Sequence, residues 1–156
     1  MKRVLLAGAG HAHLVVLKHL AEKALYGARI TVVAPEPQQV YSGMFPGLLA
    51  GHYQLEETLL PTARLAALAY AEFVRGSVES LDLANRVVRL AGGAELHYDV
   101  LSLNIGARVF DSIPGAWQYA LPVKPFESFL AALHGERFAR VAVVGAGAGG
   151  LEVAMA

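Results

Sequence analysis

The stretch Lys2–Glu36, KRVLLAGAGHAHLVVLKHLAEKALYGARITVVAPE, decides the fold. Arg3 to Ala7 is a short apolar run of the kind buried on both faces of a parallel sheet. Gly8, Ala9 and Gly10 make a tight turn. From His11 to about Leu25, the residues Leu14, Leu17, Ala21 and Leu25 recur at roughly helical spacing, and Gly27 is placed to end that helix. Arg29 to Val33 is a second apolar, β-branched run. Strand, glycine turn, helix and strand make a βαβ unit.

The chemistry such a unit supports is binding of a dinucleotide through its pyrophosphate. Gly8 permits the turn, and Gly10 lets the backbone approach the phosphates without a Cβ in the way. The N–H groups at the helix start and the positive end of its dipole favour the anion. The fingerprint is GxGxxG, and its third place is held by His13, where a glycine normally lets helix and strand pack closely. Two roles are open for His13: hydrogen bonding to phosphate, or packing within the loop. His11 and His13 do not share a helix face and no carboxylate cluster accompanies them, so the expectation is no metal site. An acid at the end of the second strand usually accepts the ribose hydroxyls. That place is Ala34, and Glu36 is the nearest carboxylate, either a ribose acceptor or a solvated loop residue.

Thirteen basic residues balance thirteen acidic ones over 156 residues, with no basic block, so nucleic acid is not an expected partner. Mean hydropathy is high at +0.44. Even so, Gly, His, Pro or charge interrupts every apolar run well short of a membrane span. The opening MKRVLLAG is too short in its apolar part for a signal peptide. The expectation is a cytoplasmic protein, with a peripheral contact to the inner face of the membrane left open for the full-length protein. There is no cysteine, hence no disulfide, thiolate metal site or dithiol redox centre in this chain.

Further along, APEPQQVYSGMFPGLLAGHY combines Pro and Gly with Tyr41, Met44, Phe45 and Tyr53. It reads either as an ordinary surface loop or as one lying across a flat aromatic ligand. Pro61–Tyr70 is a predicted helix with Leu65 and Leu68 facing the core. A strand at Glu72–Arg75 precedes a β-meander of Ser77–Leu81, Arg86–Leu90 and Ala94–Tyr98, with Gly92-Gly93 as a two-residue hairpin. Asp99–Leu103 is a further buried strand, and Asn104-Ile105-Gly106 lies at its carboxyl end, where open α/β sheets bind ligands. Trp117 lies in a connecting segment and is given a packing role, and Phe126–His134 is a predicted helix. Arg140–Val144 is a predicted strand, and Gly145, Gly147 and Gly150 after it complete a second GxGxxG with every glycine present. Two such units in one protein hold two dinucleotides, of which a flavin and a nicotinamide are the natural pair.

The order GAGHAH, VYSGMFPGLLAGHY, YDVLSLNIGA, PGAW with VKPF, and VVGAGAGGLEVA resembles the pyridine nucleotide-disulfide oxidoreductase superfamily. Within it the chain is most similar to the NADH-dehydrogenase-like branch, including members fused to selenide, water dikinase. The resemblance implies an α/β FAD/NAD(P)-binding Rossmann-like three-layer fold with a central parallel sheet and a β-meander. It implies FAD held through Gly8, Gly10, His11 and Ala12, and the backbone near Val78 against the adenine. It also places Asn104 to Gly106 beside the flavin cofactor, and Tyr41 to Pro46 toward the isoalloxazine. NADH or NADPH is implied at Gly145, Gly147 and Gly150. The implied chemistry is hydride transfer from nicotinamide to flavin and on to an acceptor such as a quinone, so no catalytic side chain is assigned.

The resemblance divides the chain into an FAD-binding part (1–110), a connecting segment with a helix (111–139) and the start of an NAD(P)-binding domain (140–156). The chain is then expected to be the N-terminal fragment of a longer flavoenzyme, inactive alone, and to associate through apolar surface left bare. Two other classes remain: a non-catalytic dinucleotide-binding or interaction module, and a sulfide:quinone oxidoreductase-like enzyme, which the lack of cysteine disfavours.

Overall fold

The computed structural model describes residues 1–107, 109, 113–134, 136 and 138–156. In chain order the elements begin β1 (Lys2–Ala7), α1 (His11–Glu22), β2 (Ala28–Ala34), β3 (Gln39–Val40), α2 (Phe45–Leu49), β4 (Leu59–Leu60) and α3 (Thr62–Leu68). They continue with β5 (Glu72–Arg75), β6 (Val78–Asp82), β7 (Val87–Leu90), β8 (Glu95–His97), β9 (Val100–Leu103), α4 (Ala116–Tyr119), α5 (Phe126–Leu133) and α6 (Ala148–Met155). Contacts group them into two units: Met1–Gln39 with Pro61–Gly106, and Val40–Leu60 with Ala107–Ala156.

The first unit is built on a parallel sheet of order β5-β2-β1-β9. Successive strand residues point to opposite faces, so β1 and β2 must be apolar on both. Leu6, Ile30 and Val32 face one way, packing with Leu17 of α1 and with Ala66, Ala69 and Ala71 in and after α3. Leu5 and Val33 face the other way, onto Val88, Leu90 and Tyr98. Those residues belong to the antiparallel meander β6-β7-β8 and the turn that leaves it. The result is the expected α/β three-layer arrangement: helices, parallel sheet, β-meander. Leu17, Val32 and Val88 are fully buried, and each such side chain contributes about 1.5–3 kcal/mol relative to exposure.

Several boundaries differ from the sequence expectation. Helix α1 stops at Glu22, because Lys23 turns extended and its N–H closes on the His19 carbonyl. Gly27 sits instead in the turn before β2, where its carbonyl accepts the Lys2 N–H. In α3, Leu65 packs on the core but Leu68 is exposed, and the buried positions are Thr62 and Ala66. The hairpin after β7 pairs Leu90 N–H with the Ala94 carbonyl, so its loop is Ala91–Gly93 rather than the glycine pair alone.

The second unit joins stretches far apart in sequence. Val40–Leu60 groups with the C-terminal stretch because Phe45 is a core residue, stacked on Phe126 with centroids 4.0 Å apart and edge-on to Phe129 at 5.8 Å. The YSGMFPG stretch is therefore largely helical: a 3₁₀ turn at Ser42–Met44 runs into α2, with Pro46 in its first turn. Trp117 on α4 is exposed rather than packed. The predicted strand Arg140–Val144 forms no strand, and Val141 and Val144 are exposed. A strand exists through ladder bonds to a neighbour, and none of the described strands pairs with this run. The connecting segment lies partly outside the described residues.

Asp99 fastens the start of β9 to β1. It accepts the Arg3 N–H at 2.7 Å and meets the guanidinium at 3.2 Å, while its own N–H donates to the Arg3 carbonyl. The hydrogen bonds from Arg3 to its carboxylate, that of the side chain foremost and then that of the backbone N–H, hold its carboxyl below the ordinary 3.8. A carboxylate depressed on folding stabilises fully above its unfolded value and loses that stabilisation as pH falls through its folded value. The stability difference between wild type and Asp99→Asn, from urea melts, is therefore expected to shrink as pH is lowered from about 6 to about 3. A difference independent of pH would remove this role.

Candidate dinucleotide site at the carboxyl ends of the sheet

The parallel register aligns Ala7 with Val33 and Leu103, and Ala34 with Arg75. The ends of β1, β2, β5 and β9 therefore share one edge, and the turn from β1 into α1 rises from it. Most backbone groups of that turn have named partners. Gly8 N–H donates to the Val33 carbonyl at 2.7 Å, and Gly10 N–H donates to the Asn104 carbonyl at 3.1 Å. The Ala9 carbonyl accepts from Gln39 Nε2, and the Gly10 carbonyl accepts the Leu14 N–H. Gly8 has φ +91° and runs so close to β9's end that a Cβ would overlap the Asn104 carbonyl.

His13 settles between its two open roles. It is 2% exposed, so packing wins over phosphate contact. Nδ1 lies 2.7 Å from the Gly8 carbonyl and Nε2 lies 2.8 Å from Ser102 Oγ. A carbonyl only accepts, so Nδ1 carries the proton, and in the neutral ring Nε2 accepts the Ser102 hydroxyl. Where a third glycine would bring helix and strand together, an imidazole joins α1, the turn and β9 by hydrogen bonds.

An anion fits at this turn on three observations. Gly10 is the extended N-cap of a twelve-residue helix, no acidic residue lies in its first turn, and His11 and Ala12 are exposed. Asn104 and Gly106 lie at the same edge, and the Asn104 Oδ1 accepts the Ala12 N–H at 3.2 Å. Glu36, beyond the end of β2, is half exposed, with both its oxygens 2.8 Å from Arg75 Nη2. Arg75 Nε also donates to the Pro35 carbonyl. Glu36 is thus neither a free solvated residue nor buried. Val78 opens β6 two residues after Gly76, whose N–H donates to the Ala34 carbonyl.

A family model described as pyridine nucleotide-disulphide oxidoreductase matches residues 2–156. The chain belongs to that family. The family's cofactors are FAD and NAD(P)H. Among solved structures, the chain resembles the sulfide:quinone oxidoreductase of Aquifex aeolicus at TM-score 0.66 and 23% identity, covering 76% of this chain and 27% of that one. NDH2 of Plasmodium falciparum, solved with NADH, gives 0.68 and 14%, covering 83% and 27%. NADH:rubredoxin oxidoreductase of Clostridium acetobutylicum gives 0.60 and 20%, covering 83% and 34%. This chain therefore spans about a quarter to a third of these structures' lengths.

The second GxGxxG lies in the second unit. Gly145 has φ +110°, Gly147 is the N-cap of α6, and a Cβ on Gly150 would overlap the Gly145 carbonyl. Pro46 belongs to this unit as well. Three residues escaped the sequence reading, Gln39, Arg75 and Ser102, and so did the capping bond of the Asn104 side chain. Each acts on a partner distant in sequence, and no local motif marks it. Among the described residues, no three His, Cys, Asp or Glu gather where they could hold a metal.

His13→Ala removes both ring bonds and leaves a cavity, and is expected to cost about 2–4 kcal/mol of stability. Denaturant melts of the variant check this, and a loss under about 0.5 kcal/mol would mean the imidazole is not structural.

Proposed function

We propose that this chain is the FAD-binding portion of a flavin-dependent NAD(P)H oxidoreductase whose acceptor is a quinone or similar small carrier. The observation that carries the reading is a carboxylate-free helix N-terminus, with His11 and Ala12 exposed, at the carboxyl edge of a parallel sheet, in a family whose cofactors are FAD and NAD(P)H. FAD, when bound, accepts a hydride from the nicotinamide and passes electrons to the acceptor. Gly8, Gly10, His11 and Ala12 form the turn that receives its pyrophosphate. His13 keeps the turn in shape from behind. Glu36, steadied by Arg75, accepts the ribose hydroxyls, and the backbone at Val78 borders the adenine. Asn104 and Gly106 line the same edge, and Gly145, Gly147 and Gly150 of the second unit serve the nicotinamide dinucleotide. No described helix is long and apolar enough to cross a membrane.

The chain, incubated with excess FAD and desalted, is expected to retain a flavin absorption spectrum, while oxidising NADH no faster than free flavin. A colourless protein would overturn the FAD site in this chain. Exposed Val141, Val144, Leu151 and Met155 support self-association, so light scattering is expected to give a species larger than the monomer. A monodisperse monomer would count against it.

A further inference from the structure

The second glycine of the fingerprint is the one expected to leave a bare backbone for the phosphates. In this chain that face is already covered. The Asn104 side chain lies across Gly10, where a Cβ would overlap Oδ1 and sit only 2.9 Å from Nδ2. Asn104 is also tied down on three sides. Its N–H donates to the Ala7 carbonyl at 2.8 Å, its carbonyl accepts the Gly10 N–H, and its Oδ1 accepts the Ala12 N–H at 3.2 Å. The last bond orients the amide. An NH₂ group facing the Ala12 N–H would set donor against donor, so the oxygen faces the helix and the NH₂ faces away from it. Gly10 itself has no side-chain cap, and Asn104 supplies one from just past the end of β9, some ninety residues on.

We propose that Asn104 is a phosphate-binding residue of the dinucleotide site: Oδ1 is fixed on helix α1, and the Nδ2 amide donates to the pyrophosphate from the place where a bare Gly10 would otherwise meet it. This rests on the reading of Gly8–Ala12 as the FAD pyrophosphate site. It assigns Gly10 a different role, making room for the amide rather than for the phosphate. It also explains the choice of residue. An aspartate of the same shape would cap the helix equally well but set a negative charge against an anion, whereas an alanine would do neither.

The test uses the 156-residue chain and its Asn104→Ala and Asn104→Asp variants, titrated with FAD and with ADP, alongside thermal melts. N104A is expected to weaken both ligands by about tenfold or more, the loss of one hydrogen bond to a charged group. N104D is expected to melt close to wild type, because a carboxylate still accepts the Ala12 N–H. It should bind at least as poorly as N104A, with part of the loss relieved by salt. N104A binding as tightly as wild type, or tighter, would make the amide a mere cover and overturn the proposal. N104D that melts like wild type and also binds like it would do the same. A wild-type chain that binds neither FAD nor ADP would overturn the underlying site along with it, an outcome the variants' comparison keeps distinct.

Discussion

The close approach of the β1–α1 turn to the end of β9 is the constraint on which the first unit depends. Gly8 and Gly10 have no side chains there because the Asn104 backbone and amide occupy the space. Once the turn lies against β9, its polar groups must be satisfied in a half-buried setting, since an orphaned backbone group costs about 1–3 kcal/mol. Val33, Asn104, Gln39 and His13 meet that requirement between them, drawing on the edges of β2 and β9 and on α1. The carboxyl edge of the sheet is therefore held by a web of backbone and side-chain hydrogen bonds.

His13 shows how one departure from a fingerprint is absorbed. A glycine at that place works by absence, letting helix and strand touch. An imidazole of the same position works by presence: it is large enough to fill the gap, and its two nitrogens match a carbonyl on one side and a hydroxyl on the other. The substitution is coherent only with Ser102, which explains why His13 looks anomalous when read alone.

The second unit shows the opposite case. Aromatic residues in a Gly- and Pro-rich stretch look like ligand contacts because surface loops rarely carry them. Phe45 is instead the centre of a small core with Phe126 and Phe129. Burial of that kind depends on partners about eighty residues away in sequence, and nothing local in YSGMFPG announces them. The apolar run before Gly145 fails as a strand for a related reason: hydrophobic composition makes a strand available, and only a neighbouring strand makes it form.

Period and punctuation were enough to read the βαβ unit, the parallel strands β1, β2, β5 and β9, the meander and both glycine turns, because each is a local pattern of apolar spacing and turn residues. The resemblance to a family, not period, is what grouped Gly8, Gly10, His11, Ala12, Asn104 and Gly106. What the tertiary structure alone decided is how those residues share the space: that His13 faces inward, that Glu36 is held by Arg75, and that Asn104 covers Gly10 and caps α1. These are contacts between residues far apart in the chain. Their geometry is set by strand register and helix placement, which no single stretch of sequence contains.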